Sequence, residues 1–173
     1  MKKFLAEQNI NLPKLTNEER LLAGTVVLMC YRGFYDPKFL PVMVENAVPR
    51  IPGLNEEKPF DTKPFVEKVS ALGYQELTKL FEKEAEQVAL PDFSQDEMVI
   101  IANCICGSIT DGFFVQFLDE EVSDYIYYNN ILPSGKTDLS ETDKAFVSKV
   151  KNLSYIQRVK LIYIIKRDFF KKR

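Results

Sequence analysis

The stretch "DGFFVQFLDEEVSD", residues 111–124, carries five carboxylates: Asp111, Asp119, Glu120, Glu121 and Asp124. Hard divalent cations such as Ca²⁺ and Mg²⁺ take oxygen ligands of this kind. Asp111 stands beside Gly112, where a turn would present it to an ion. The other four follow about two turns into the next element. The spacing is not that of an EF-hand, which places acids at alternate positions before its Gly. A divalent-cation or small-ligand site at the Asp111–Gly112 turn is therefore one expectation for this segment. The competing one is a solvated acidic face on a helix.

Other chemistry is restricted by what the chain lacks. It contains no His and no Trp. Without imidazole there is no Ser-His-Asp or Cys-His engine, and no His-ligated zinc. Cys30, Cys104 and Cys106 are odd in number and follow no framework spacing, which predicts reduced thiols in an intracellular compartment. Cys104 and Cys106 lie two apart, so on a helix they point to different faces and read as packing residues. There is no Gly-rich phosphate loop, paired CxxC or nucleophile elbow. Carboxylates are plentiful, but nothing local sets one as acid and another as base. A non-enzyme is expected, with no cofactor apart from the cation considered above.

The opening "MKKFLAEQNI" lacks the apolar core of a signal peptide. The apolar run "LLAGTVVLMCY" at 21–31 falls short of the ~18 residues of a membrane span. A soluble, cytoplasmic chain without a transmembrane segment is expected. Its charge is segregated: residues 51–150 hold 19 acids and 8 bases, whereas 151–173 hold 8 bases and 1 acid. The basic end, "KRDFFKKR", could touch an anionic membrane or nucleic acid. The simpler account is that cations stabilise a helix C-terminus. The excess is too local to expect nucleic-acid binding, and an anionic membrane surface stays open as a partner for this end.

The elements that must position these residues come from a duplication. "LPKLTNEE" at 12–19 is answered by "LPDFSQDE" at 90–97, and "GFY" at 33–35 by "GFF" at 112–114. "KPFVEKVSALGY" at 63–74 meets "KAFVSKVKNLSY" at 144–155 with seven of twelve positions identical, where ordinary composition gives about one. Tandem repeats of about 12–88 and 90–170 are expected, each of four helical segments. The first opens at Thr16 or Ser94 with an acid three residues later, a capping box. It runs apolar to Tyr31 or Ile109 and is expected to end near Gly33 or Gly112, since Gly suits the left-handed position after a helix. The second starts near Phe39-Leu40 or Phe117-Leu118. The third carries Phe65, Val66, Val69 and Leu72, or Phe146, Val147, Val150 and Leu153, as one apolar face. Phe34, Tyr35, Phe113 and Phe114 would plug the corner between helices. No strand-like alternation competes. The expected fold is all-α, with residues 1–173 packed as one compact pseudo-two-fold helical domain.

Matched positions that change character show where the copies diverge. "EKE" at 82–84 becomes "YII" at 163–165. Tyr163, Ile164 and Ile165 must either pack centrally between the repeats or form a contact surface. With Tyr125, Tyr127 and Tyr128 they are the candidate interaction residues, because aromatics make good anchors.

Two tandem helical units, each with a Ser/Thr-plus-acid helix start, resemble the tellurite-resistance TerB-like family. The residues carrying the likeness are "SQDEMVIIANCICGSITDGFF" with "FLDEE", and "TNEERLLAGTVVLMCYRGFY" in repeat one. Repeat one departs by having Arg32-Gly33 where the family has Asp-Gly. The resemblance implies a non-catalytic stress-response protein that binds a cation through acids near the turn. The leading expectation is a protein-interaction protein, with a protein partner or self-association. The alternatives are cation or small-ligand binding, and a basic-tailed adaptor. Because the last helix has lost its polar side, polar substitutions at Ile164 or Ile165 should lower the melting midpoint more than equivalent changes at Lys83 or Glu84. Equal losses in thermal melts would contradict this.

Overall fold

Four helices begin with the same local device. Thr16 accepts from the Glu19 N–H at 3.2 Å, while the Glu19 carboxylate accepts from the Thr16 N–H at 2.8 Å. Ser94 and Glu97 repeat the exchange, as expected from the sequence. Ser140 with Asp143 and Ser154 with Gln157 add two more. Each cap satisfies N–H groups that the first helical turn cannot and contributes about 1 kcal/mol.

The computed structural model describes residues 11–31, 33, 35–107, 115–129 and 139–170, without the side chains of Cys106 and Phe170. Arg32, Phe34, Ile109, Asp111, Gly112, Phe113, Phe114 and the basic end at 171–173 lie outside the described residues. Among the described residues the chain forms eight α-helices and no strand. They are α1 (Asn17–Met29), α2 (Leu40–Ala47), α3 (Lys63–Val69), α4 (Tyr74–Ala85), α5 (Gln95–Gly107), α6 (Leu118–Asn129), α7 (Glu141–Lys151) and α8 (Tyr155–Phe170). Short 3₁₀ turns, Pro37–Phe39 and Val115–Phe117, lead into α2 and α6. Among the described residues, no helix is long and apolar enough to cross a membrane. The all-α expectation holds, with four of these helices in 17–85 and four in 95–170.

One tertiary contact recurs at matched positions. Lys68 of α3 reaches Glu19 at 2.6 Å, and Lys149 of α7 reaches Glu97 at 2.8 Å. The glutamate that starts the first helix of each half also receives the lysine of its third. The packing between halves is not reciprocal, however. α8 lies on both α1 and α5, whereas among the described residues α4 packs on α1 and has no comparable contact with α5. Contacts run in the series α4–α1–α8–α5, so the packing does not establish the expected pseudo-two-fold. The divergence at 163–165 accounts for this: Tyr163 and Ile165 are buried, so α8 takes the central place.

The glycine-ended helix is corrected. α1 ends at Met29, and the chain continues through tight turns, Tyr31 N–H to Leu28 O and Gly33 N–H to Cys30 O. Gly33 is not left-handed; among the described residues only Gly53 has positive φ, at 81°. Tyr35 does close a corner: its hydroxyl donates to Leu72 O at 3.1 Å and its ring leans on Tyr74.

The helices close up at Gly24. A Cβ there would stand 2.6 Å from the Phe81 ring of α4 and 2.7 Å from Val159 of α8. One residue on, Thr25 Oγ1 and Tyr155 Oη share a hydrogen bond of 3.0 Å. Helix propensity alone would favour Gly24→Ala by roughly 1 kcal/mol. Overpacking costs about 1–3 kcal/mol, and both neighbours are held in the core. Gly24→Ala should therefore lower the urea midpoint at unchanged slope, and Gly24→Val should lower it further. A raised midpoint for Gly24→Ala would refute the tight crossing.

Candidate functional site

α6 turns Leu118, Val122 and Ile126, spaced by four, into the core. That stripe packs it against α5 and α7. Its start is held by Arg158 of α8, which is only 8% exposed. The guanidinium donates to Gln116 O at 2.7 Å, Asp119 Oδ1 at 2.7 Å, Lys151 O at 3.1 Å and Leu153 O at 3.2 Å. It thus ties the lead-in of α6 to the end of α7. The sequence reading passed over this residue. The signal was present, since Arg158 replaces Leu77 at the matched position, another change of character.

This clamp divides the acids expected to hold a cation. Asp119 turns inward to Arg158, while Glu120, Glu121 and Asp124 are exposed on the outer side of α6. Asp111 lies outside the described residues. Among the described residues, no three Cys, Asp or Glu side chains gather as a metal site. Cys104 is buried beneath α6, its Sγ 3.7 Å from Glu121 O. Burial, then the Glu121 charge, pushes this thiol up to about 12. It stays protonated at neutral pH and is no nucleophile.

The candidate interaction residues separate too. Tyr125 is half-buried and packs against the core. Tyr127 and Tyr128 are 43% and 67% exposed, their rings edge to face with centroids 5.4 Å apart. Burial of Tyr163 and Ile165 agrees with central packing of this stretch and corrects their reading as contact residues, while Ile164 is half-buried. The Tyr163 hydroxyl donates to Glu82, the residue at its matched position, and its ring meets Phe81 edge-on at 5.5 Å. Burial first, then Glu82, raises its pKa above the ordinary phenol range. Phe117, just ahead of α6, is 42% exposed; it was read only as a helix start.

Between α4 and α8 lies a groove of about 300 Å³, lined by Glu82, Glu86, Lys160, Tyr163, Ile164 and Arg167. Several of its polar groups serve the fold. Lys160 Nζ donates to Ala85 O and Val88 O at 2.7 and 2.6 Å, closing the end of α4, and Arg167 pairs with Asp168. Lys166 is buried, with its ammonium over the Tyr31 ring. Much of the basic character of the last helix is thereby drawn into internal contacts.

No family model, curated protein or solved structure matches the chain.

The clamp and the outer acids should respond differently to mutation. Arg158→Met strands Asp119 and three carbonyls, and breaking a buried pair costs about 3–5 kcal/mol. Glu120→Gln or Glu121→Gln should stay within about 0.5 kcal/mol of wild type. Urea unfolding followed by far-UV circular dichroism checks both. A mild Arg158→Met would mean that the clamp does not hold α6.

Proposed function

We propose that this is a non-catalytic protein-binding protein whose contact surface is the outer face of α6, centred on Tyr127 and Tyr128. The observation that carries the reading is the exposure of these two rings, packed edge to face. Other tyrosines are committed inward: Tyr35 to Leu72 O, Tyr74 to Val27 O, Tyr155 to Thr25 and Tyr163 to Glu82. A solvent-facing aromatic pair buries large area on binding while losing little side-chain entropy. Aromatic anchors of this kind dominate the energetics of many interfaces. The inward stripe of α6 and the Arg158 clamp hold its backbone, so the surface is preformed and needs little ordering. A cytoplasmic setting accords with Cys30 and Cys104 being buried outside any disulfide. A stress-response role rests on the TerB-like resemblance alone.

A photo-crosslinking amino acid at position 128 tests the reading. Irradiated in a lysate of the source cells, it should give a discrete protein adduct that disappears when Tyr127→Ser is added. The same probe at Lys79, exposed on α4, should give none. If position 128 yields no adduct, or the same adduct as position 79, α6 is not the contact surface. Melts of each variant confirm that the fold is intact.

A further inference from the structure

The partner's chemistry follows from what shares the α6 face with the tyrosines, and this inference rests on the reading just given. Residues three and four apart lie one above another on a helix. Glu120 and Glu121, then Asp124, then Tyr127 and Tyr128 therefore form successive steps of one outward strip, all of them exposed. α6 contains no Lys or Arg. Its fourth acid, Asp119, is already neutralised by Arg158. Glu120, Glu121 and Asp124 have no ion-pair partner among the described residues. The strip thus offers three uncompensated carboxylates running into two ring faces, with Phe117 exposed ahead of them.

Cations suit both halves of such a strip. A guanidinium or ammonium pairs with carboxylates and also lies favourably over tyrosine rings. An acidic partner would meet like charge, and a wholly apolar one would desolvate three carboxylates without compensation. We propose that the partner docks a segment bearing Arg or Lys interspersed with apolar residues. Its cations lie against Glu120, Glu121 and Asp124, and its apolar side chains and guanidinium planes cover Tyr127 and Tyr128. Exposed ion pairs are individually weak. The rings therefore supply most of the affinity, while the acids select the partner's charge and speed its approach.

The absence of Trp from the chain permits a direct test. Tyr128→Trp introduces a single tryptophan reporter, which is titrated with short synthetic peptides rich in Arg and Leu, Glu and Leu, or Ser and Leu. Only the Arg-Leu peptide should shift its emission, and the shift should weaken with added salt. Neutralising Glu120, Glu121 and Asp124 together as Gln, Gln and Asn should reduce affinity about tenfold. Neutralising the remote exposed acids Glu45, Glu57 and Glu67 to Gln should leave it unchanged. Equal binding of the Ser-Leu or Glu-Leu peptide overturns the proposal. So does indifference to the α6 neutralisation, or an equal loss on remote neutralisation, which would mark binding to overall charge. If position 128 still crosslinks to a protein under those results, the α6 contact surface survives and only the basic partner falls. If neither crosslinking nor peptide binding occurs, the surface itself is wrong.

Discussion

At Gly24 the backbone of α1 comes so close to Phe81 of α4 and Val159 of α8 that a β-carbon would have no room. This approach joins the two halves of the chain. α1 is buried from Leu22 through Leu28 because α4 and α8 flank it and α2 adds a further contact. Such close packing makes core contacts sensitive to small changes in volume. The Thr25–Tyr155 bond and the bond from Tyr31 Oη to Lys166 O carry the same seam along α1.

The place of α8 in turn decides the place of α6. Once α8 lies between α1 and α5, its Arg158 reaches the carbonyls at the end of α7 and the lead-in of α6. A buried ion pair is weak evidence of net stability, because desolvation offsets much of the attraction. The role argued for Arg158 is geometric: it satisfies carbonyls that would otherwise be orphaned and orients α6. Asp119 is spent in that role. The remaining acids and the tyrosine pair are left facing solvent, so the outer face of α6 follows from packing begun at Gly24.

Parts of this were legible before the fold. The exchanges at Thr16–Glu19 and Ser94–Glu97 and the apolar face of Phe65 and Val69 all depend on neighbours within a turn or two. Positions that differ between the matched segments single out Tyr163, and the structure decides between its two readings by burying it. The same comparison would have marked Arg158 had Leu77 been set against it. Other readings failed for physical reasons. A glycine after a helix favours a left-handed stop, but at Gly33 successive tight turns satisfy the end of α1 without one. Asp119 was grouped with Glu120 and Glu121 because they are adjacent in the chain, whereas its partner lies 39 residues away.

The amino-acid order by itself determined the helical class, the first-turn caps at Thr16 and Ser94, and the absence of imidazole chemistry. Those properties arise from hydrogen bonds and periodicity between residues a few positions apart, or from composition. Only the tertiary structure decided that Tyr163 and Ile165 are interior, that Asp119 is neutralised, and that Tyr127 and Tyr128 face outward. An amphipathic pattern states that one side of a helix will be covered. Which helix covers it, and which charge meets which, depends on contacts between residues tens of positions apart.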